Sequence, residues 1–279
     1  MYGWDYSATT HRPDEDALDR LGSHMACGNV ANDLILSLRG SLYLPGKGIQ
    51  GWQQSVQVYD DGGFRLGSVY FGGKRDDVHV VSSGGIADQS RWRVIEQHDA
   101  ATSRVDTRVD TLVSFDDLRA LCLEVAGPRT KVTYMESTIG GESAGRTLYV
   151  GAPSSDVLIR VYEKWLESPG QYVEGTNRVE VQLRPPSRSK SEVTERSPDE
   201  TFCATKLARR VASKLGTRIV EPGSLQKDKG TPDLEQTLRA MGRQYSRAAG
   251  EWLSISQGDV GTLLDYLGAF APERPVAAR

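Results

Sequence analysis

Residues Leu158-Ile-Arg-Val-Tyr-Glu-Lys164 alternate apolar and polar side chains with a period of two, the mark of a strand with one buried face. One face then carries Arg160, Tyr162 and Lys164, and the other Ile159, Val161 and Glu163. Two further stretches have the same build: Arg104-Val-Asp-Thr-Arg-Val-Asp110 and Arg178-Val-Glu-Val-Gln-Leu-Arg184. Side by side, the three would make an antiparallel sheet with one apolar face and one face bearing a tyrosine, three acids and several arginines. Taken singly, each strand also fits an ordinary solvated face laced with ion pairs.

Taken together, the strands imply chemistry. Asp106 and Asp110 share a face on one strand, and Glu180 holds the corresponding kind of position on another. Carboxylates gathered closely repel one another, and a bound divalent cation is the simplest relief. Oxygen ligands suit Mg²⁺ or Mn²⁺ better than zinc. A phenol flanked by two cations is poor core material but is suited to gripping or attacking a phosphate. Arg160, Lys164 and Arg178 are candidates for holding its non-bridging oxygens or for lowering the phenol pKa. The chain has eleven tyrosines, and residue type alone leaves Tyr149, and more weakly Tyr134, as rivals to Tyr162.

Other chemistries find little support. The four histidines, at 11, 24, 79 and 98, never share a strand or a helical turn, which argues against a zinc hydrolase. His79 reads as an ordinary sheet histidine. The paired glycines at 62–63, 72–73 and 84–85 lack dinucleotide-binding spacing and mark turns, and no Gly-Lys-Ser/Thr phosphate loop is present. Three widely separated cysteines make neither a disulfide framework nor a metal site, so a reducing cytoplasmic setting is expected. No membrane span and no secretory signal are expected. A net charge of -3 does not by itself favour nucleic acid, although a basic groove can coexist with acidic loops.

The expected fold class is α+β: a mostly antiparallel central sheet with one apolar and one polar catalytic face, followed by a helical C-terminal region. Residues 1–50 read as a variable region with a short helix from Asp14 to Leu21, and Gly22–Met25 looks like a scar of tag cleavage. A catalytic core spans 51–186. It begins with strands at 55–59, 64–71 and 78–81 separated by glycine turns. A helix at 89–96, the Arg104 strand, a helix capped by Ser114 and strands at 131–136 and 146–150 come next. Pro185-Pro186 ends the Arg178 strand. Residues 187–230 read as an exposed loop, an amphipathic helix over 201–215 and a second loop. Residues 231–279 read as a helix from Pro232 to about Trp252, a short helix at 259–267 and a disordered tail.

In order and spacing the chain resembles the replication initiation factor family, the trans-acting rolling-circle initiators of certain plasmids and filamentous phages. Relaxases of integrative conjugative elements are relatives of that family. The likeness runs from about Gln53 to Arg184. It is carried by Val78-His-Val-Val-Ser-Ser-Gly-Gly85, Ser103–Asp110, Gly145-Arg-Thr-Leu-Tyr-Val-Gly151 through Leu158–Lys164, and Asn177–Arg184. It implies a nickase that cleaves one strand of origin DNA with a tyrosine, stays joined to the 5′ end, and later rejoins the strand. It also implies a divalent metal, Mg²⁺ or Mn²⁺, held by acids. On this chain the tyrosine of the Arg-x-Tyr-x-Lys motif is Tyr162, and the acids of the Arg-x-Asp and Arg-x-Glu motifs are Asp106 and Glu180, with Asp110 as a third. Single-stranded or cruciform origin DNA, a host helicase and polymerase, and a second copy of the chain are the implied partners.

DNA contacts are expected from Arg104, Arg108 and Arg184, and from Arg239, Arg243 and Arg247, which recur every four residues on the helix after Pro232. The same motifs would serve a relaxase acting on a transfer origin. A non-catalytic DNA-binding replication regulator predicts instead that Asp106, Glu180 and Tyr162 do not converge.

Overall fold

The computed structural model of the chain describes residues 1–220, together with 250, 251, 254 and 255. The chain divides into two compact units, Met1–Gln226 and Lys227–Arg279. In the second, Gly250, Glu251, Ser254 and Ile255 are helical. Of the helix expected over 232–252 only residues 250 and 251 are described; the rest of it, with Arg239, Arg243 and Arg247, and the helix expected at 259–267 lie outside the described residues.

Ten strands among the described residues form one antiparallel sheet. They are β1 (Tyr2–Arg12), β2 (Leu42–Lys47), β3 (Gln54–Tyr59), β4 (Arg65–Phe71), β5 (Val78–Ser83), β6 (Asp99–Thr111), β7 (Val132–Ile139), β8 (Glu142–Val150), β9 (Val157–Glu163) and β10 (Asn177–Leu183). Their spatial order is β2-β3-β4-β5-β1-β6-β10-β9-β8-β7. The three strands singled out by alternation are therefore neighbours, with β10 between β6 and β9. β1 lies near the middle of the sheet, so the first residues of the chain contribute to its core. The strand signal in β1 is weak because its buried positions include Ser7, Thr9 and His11 in place of aliphatic side chains.

The register puts most aliphatic positions on one face, with Leu158 of β9 an exception on the other. Val179 faces Val109 and Val161, while Val181 faces Thr107 and Ile159. Helices cover that face. Val30 and Leu34 of α2 (Ser23–Ser37) pack with Val58, Val69, Val78 and Val80. Phe115, Leu118 and Cys122 of α4 (Phe115–Val125) join Val161, Val179 and Val181 in the largest core cluster. Phe202, at the end of α7 (Pro198–Phe202), and Val211 of α8 (Lys206–Lys214) belong to the same cluster. Between the two lies α3 (Gly85–Ile95), whose Arg91 is fully buried. Its guanidinium donates to Ser7, Thr102 and the carbonyls of Val193 and Thr194, tying α6 (Lys190–Glu195) to the sheet.

Local signals place most helix ends. Asp14 caps α1 (Glu15–Leu21) by accepting from the Ala17 amide, and Ser114 caps α4 by accepting from that of Asp117. Gly22 precedes and Ser23–Met25 begin α2. Two expectations are corrected. Residues 187–195 are a 3-10 turn and α6, not a loop. The helix expected over 201–215 is split into α7 and α8, since a Ser197/Glu200 capping box starts the first and Thr205 caps the second.

Phe202 is fully buried and its ring lies 5.1 Å from that of Tyr2. Phe202→Ala should lower stability by about 3–5 kcal/mol, the usual cost of emptying a buried aromatic site. Urea denaturation followed by tryptophan fluorescence measures it.

Candidate active site

The face opposite the helices carries the acids, the arginines and Tyr162, ordered by register into rows. Tyr6, Asp106, Gln182 and Leu158 lie across β1, β6, β10 and β9. Arg108, Glu180, Arg160 and Tyr149 form the next row, and Asp110, Arg178, Tyr162 and Thr147 the third. Asp106, Glu180 and Tyr162 thus step diagonally over three adjoining strands.

This face is not the wet surface that alternation alone implies. Asp106 is 2% exposed, Glu180 3% and Tyr162 5%. Arginines shield them from water. Arg104 makes a bidentate pair with Asp106. Arg160 donates to Glu180 Oε2 from Nε at 3.0 Å and from Nη2 at 2.5 Å. Both arginine side chains are one-third exposed, so these two cations form the outer skin over the two acids.

Burial is the largest influence on each acid and raises both. The Glu180 carboxyl is pushed up to about 7 by loss of solvent and by the charges of Asp5 and Asp106, against the pull of Arg160. Asp106 is also raised, first by burial, while Arg104 and a hydrogen bond with Glu180 oppose the rise. The two carboxylates repel when both are charged. Beside them a cavity of about 70 Å³ is lined by Arg104, Asp106, Tyr149, Arg160, Glu180 and Gln182 among others.

Among the described residues no group of three or more His, Cys, Asp or Glu side chains is arranged to hold a metal ion. The donors brought together are two carboxylates. That set fits Mg²⁺ or Mn²⁺, which commonly take one or two carboxylates plus water and substrate phosphate, and does not fit a closed zinc site. Asp110 is drawn aside: Arg178 binds it at 2.6 and 2.9 Å, and Arg108 lies 3.6 Å away.

Tyr162 sits beneath cations. The Arg160 guanidinium carbon is 4.6 Å and the Lys164 ammonium 5.8 Å from its ring centroid. Its phenol is raised well above the ordinary range, first by burial and then by the Glu180 charge, with Arg178 and Arg160 pulling it down. β9 ends at Glu163, so Lys164 opens the short helix α5 (Lys164–Glu167) and bonds Glu167 at 2.5 Å. Arg184 is occupied by the carbonyls of Pro153 and Ser155, and Arg108 by Asp88 at 2.6 Å. His79 stacks on Trp52 at 4.7 Å, on the part of the sheet formed by β4 and β5, and burial holds it neutral with a pKa lowered to about 4.

Three residues at this site carried no sequence signal. Asp5 projects at an irregularity in the β1–β6 register and binds Arg178 at 2.6 Å. Asp88 reaches Arg108 past Gly3, where a Cβ would lie 3.0 Å from its carboxylate. Tyr172, in the connection after α5, accepts from Arg178 Nη2 at 3.0 Å. Asp5 lay in a segment not read as a strand, and loop residues such as Tyr172 have no period to betray their direction.

These elements define a class: a single antiparallel sheet, helices on one face, and an acid–tyrosine–arginine array on the other. No family model and no curated protein matches the chain. Its fold is similar to the structure of a rolling-circle replication initiator protein from Geobacillus stearothermophilus, with a TM-score of 0.54 and 22% identity. That likeness covers 83% of this chain and 91% of the other.

A raised carboxyl binds protons in the folded state that the unfolded state releases. Glu180 therefore contributes stability below about pH 4.5 that is lost as pH rises toward about 7. Over that window the wild-type melting temperature should fall relative to Glu180→Gln, and differential scanning calorimetry across pH 4–8 measures the difference. A constant difference would show that Glu180 titrates normally.

Proposed function

We propose that the chain is a rolling-circle replication initiator that nicks and rejoins single-stranded origin DNA through a tyrosine. The observation that carries this reading is the diagonal of Asp106, Glu180 and Tyr162 across β6, β10 and β9, under a skin of arginines. A non-catalytic regulator has no need for two repelling acids buried beside a phenol. The fold likeness to a protein described as a rolling-circle replication initiator supports the same reading. The motifs serve a relaxase equally well, and the identity of the origin separates the two.

On this reading Arg104 and Arg160 release their carboxylates to meet phosphate oxygens, which brings the scissile phosphate over Asp106 and Glu180. These two acids would hold Mg²⁺ or Mn²⁺, which when bound offsets charge on the phosphate oxygens. Neutralising Glu180 removes the carboxylate charge that most opposes ionisation of Tyr162, leaving Arg178 and Arg160 to favour the phenolate. Tyr162 gives its phenol proton to solvent, its oxygen bonds to phosphorus as the bond to the 3′ oxygen breaks, the 3′ oxygen takes up a proton from solvent, and the 5′ phosphate stays on the tyrosine. Rejoining reverses these steps with a 3′ hydroxyl as nucleophile. A second assignment has its own observation: Tyr149 lines the cavity beside both acids, whereas Tyr162 is not among its lining residues.

Incubation with single-stranded origin DNA and Mn²⁺ should give a covalent adduct that Tyr162→Phe abolishes and Tyr149→Phe retains, as read by denaturing gels. The opposite pattern would transfer the nucleophile to Tyr149. Asp106→Asn should reduce cleavage by at least 100-fold, in the range seen when a group acting in the transition state is lost, while retaining DNA binding. Unchanged cleavage would reject the role of Asp106.

A further inference from the structure

The Arg104–Asp106 unit has a counterpart elsewhere on the same face of the sheet. In the first, an Arg-x-Asp pair holds a guanidinium flat against an aromatic ring, with Arg104 4.3 Å from the Tyr6 centroid. In the second, Arg75 donates to both oxygens of Asp77 at 2.8 Å and lies 4.1 Å over the ring of Trp52. Asp77 also accepts from the Trp52 indole at 3.1 Å, and His79 stacks on that ring at 4.7 Å. The guanidinium is thus held in one plane from two directions, yet its side chain is 40% exposed. Such a flat, fixed, accessible guanidinium is suited to a phosphodiester.

Two cavities, of about 430 and 310 Å³, adjoin this unit and share Arg12, Arg75 and Asp77 in their linings. Lys74 lines the first, and Lys190 with the hydroxyl of Thr10 lines the second. Arg12, Lys74 and Lys190 make no ion pair with the described residues. Three acids face them. Asp77 is bound by Arg75, Asp76 accepts from Ser23 at 2.7 Å, and Asp99 lies across from Arg12 in the β1–β6 register. The position is also informative. Ala101, which lines the second cavity, lies on β6 five positions before Asp106, a separation of roughly 17 Å at about 3.3 Å per strand residue. About five stacked nucleotides cover that distance.

We propose that Arg75, Arg12 and Lys190 form a second phosphate-binding subsite, which holds the backbone of the DNA strand that flanks the phosphate at Asp106 and Glu180. This deepens the function proposed above and rests on it for the identity of the ligand. Contact is with sugar-phosphate and is independent of base sequence. Arg104 on Tyr6 lies on the same face between the two subsites, so a strand following β1 and β6 passes over it.

The test uses the full chain with fluorescein-labelled oligothymidylate of about 4 and about 14 nucleotides, in EDTA so that cleavage plays no part; at about 3.4 Å per nucleotide only the longer spans both subsites. Arg12→Ala/Lys190→Ala alters two side chains that make no ion pair with described residues, so folding should persist. For the longer strand it should weaken binding about ten-fold and flatten the log–log salt slope by about 1.4, two phosphates at about 0.7 each. The shorter strand should bind as to the native chain. Arg75→Lys, which keeps the charge but loses the planar fork, should also weaken only the longer strand. Native affinity and slope in both variants overturn the subsite. An equal loss on both lengths overturns it too, since the residues would then not act at a distance from the acids. Failure of the native chain to bind either strand overturns the subsite, and the proposed function falls with it if single-stranded origin DNA is also left unbound. Length-dependent loss with no cleavage of single-stranded origin DNA in Mn²⁺ overturns the nickase chemistry alone.

Discussion

The site depends on keeping two carboxylates side by side out of water. Asp106 and Glu180 are both nearly inaccessible, both raised by burial, and each clamped by an arginine from its own or the next strand. Two buried acids in contact cost stability unless cations accompany them. The sheet supplies those cations by register: the Asp106 carboxylate meets Arg104 two residues away on β6, and Glu180 meets Arg160 directly across on β9. A one-residue slip of β10 would turn Glu180 toward Val109 and Val161 and send Val179 or Val181 to the acidic face. The aliphatic alternation on the helical side therefore also aligns the acids.

The same constraint shapes the surrounding array. Arg178 is 2% exposed and is bound by Asp110, Asp5 and Tyr172, so it is held in place and is not a mobile surface cation. Arg108 draws in Asp88 from α3 and Asp5 from β1. The result is a graded shell, with fixed arginines beneath and one-third-exposed Arg104 and Arg160 on top.

Much of this was legible in the chain, and the exceptions have physical causes. Alternation at 104–110, 158–164 and 178–184 identified one face, because a period of two survives any neighbour arrangement. It could not reveal that β10 separates β6 from β9, since order within a sheet depends on long-range pairing. β1 escaped notice because its inward side chains at Ser7, Thr9 and His11 are polar and serve Arg91 or one another. Asp110 looked equivalent to Asp106 by spacing, but the opposing residue decides its partner: Gln182 faces Asp106, while Arg178 faces Asp110 and claims it. Burial of the polar face was likewise invisible, because it comes from arginine stems and the Tyr172 connection folding over the strands.

The measurement that reaches the centre of this account is an anomalous-scattering experiment on crystals soaked in Mn²⁺. A single strong peak is expected between Asp106 and Glu180, with Arg104 or Arg160 displaced from its carboxylate. Both arginine pairs left intact, with manganese absent from that position, would contradict it.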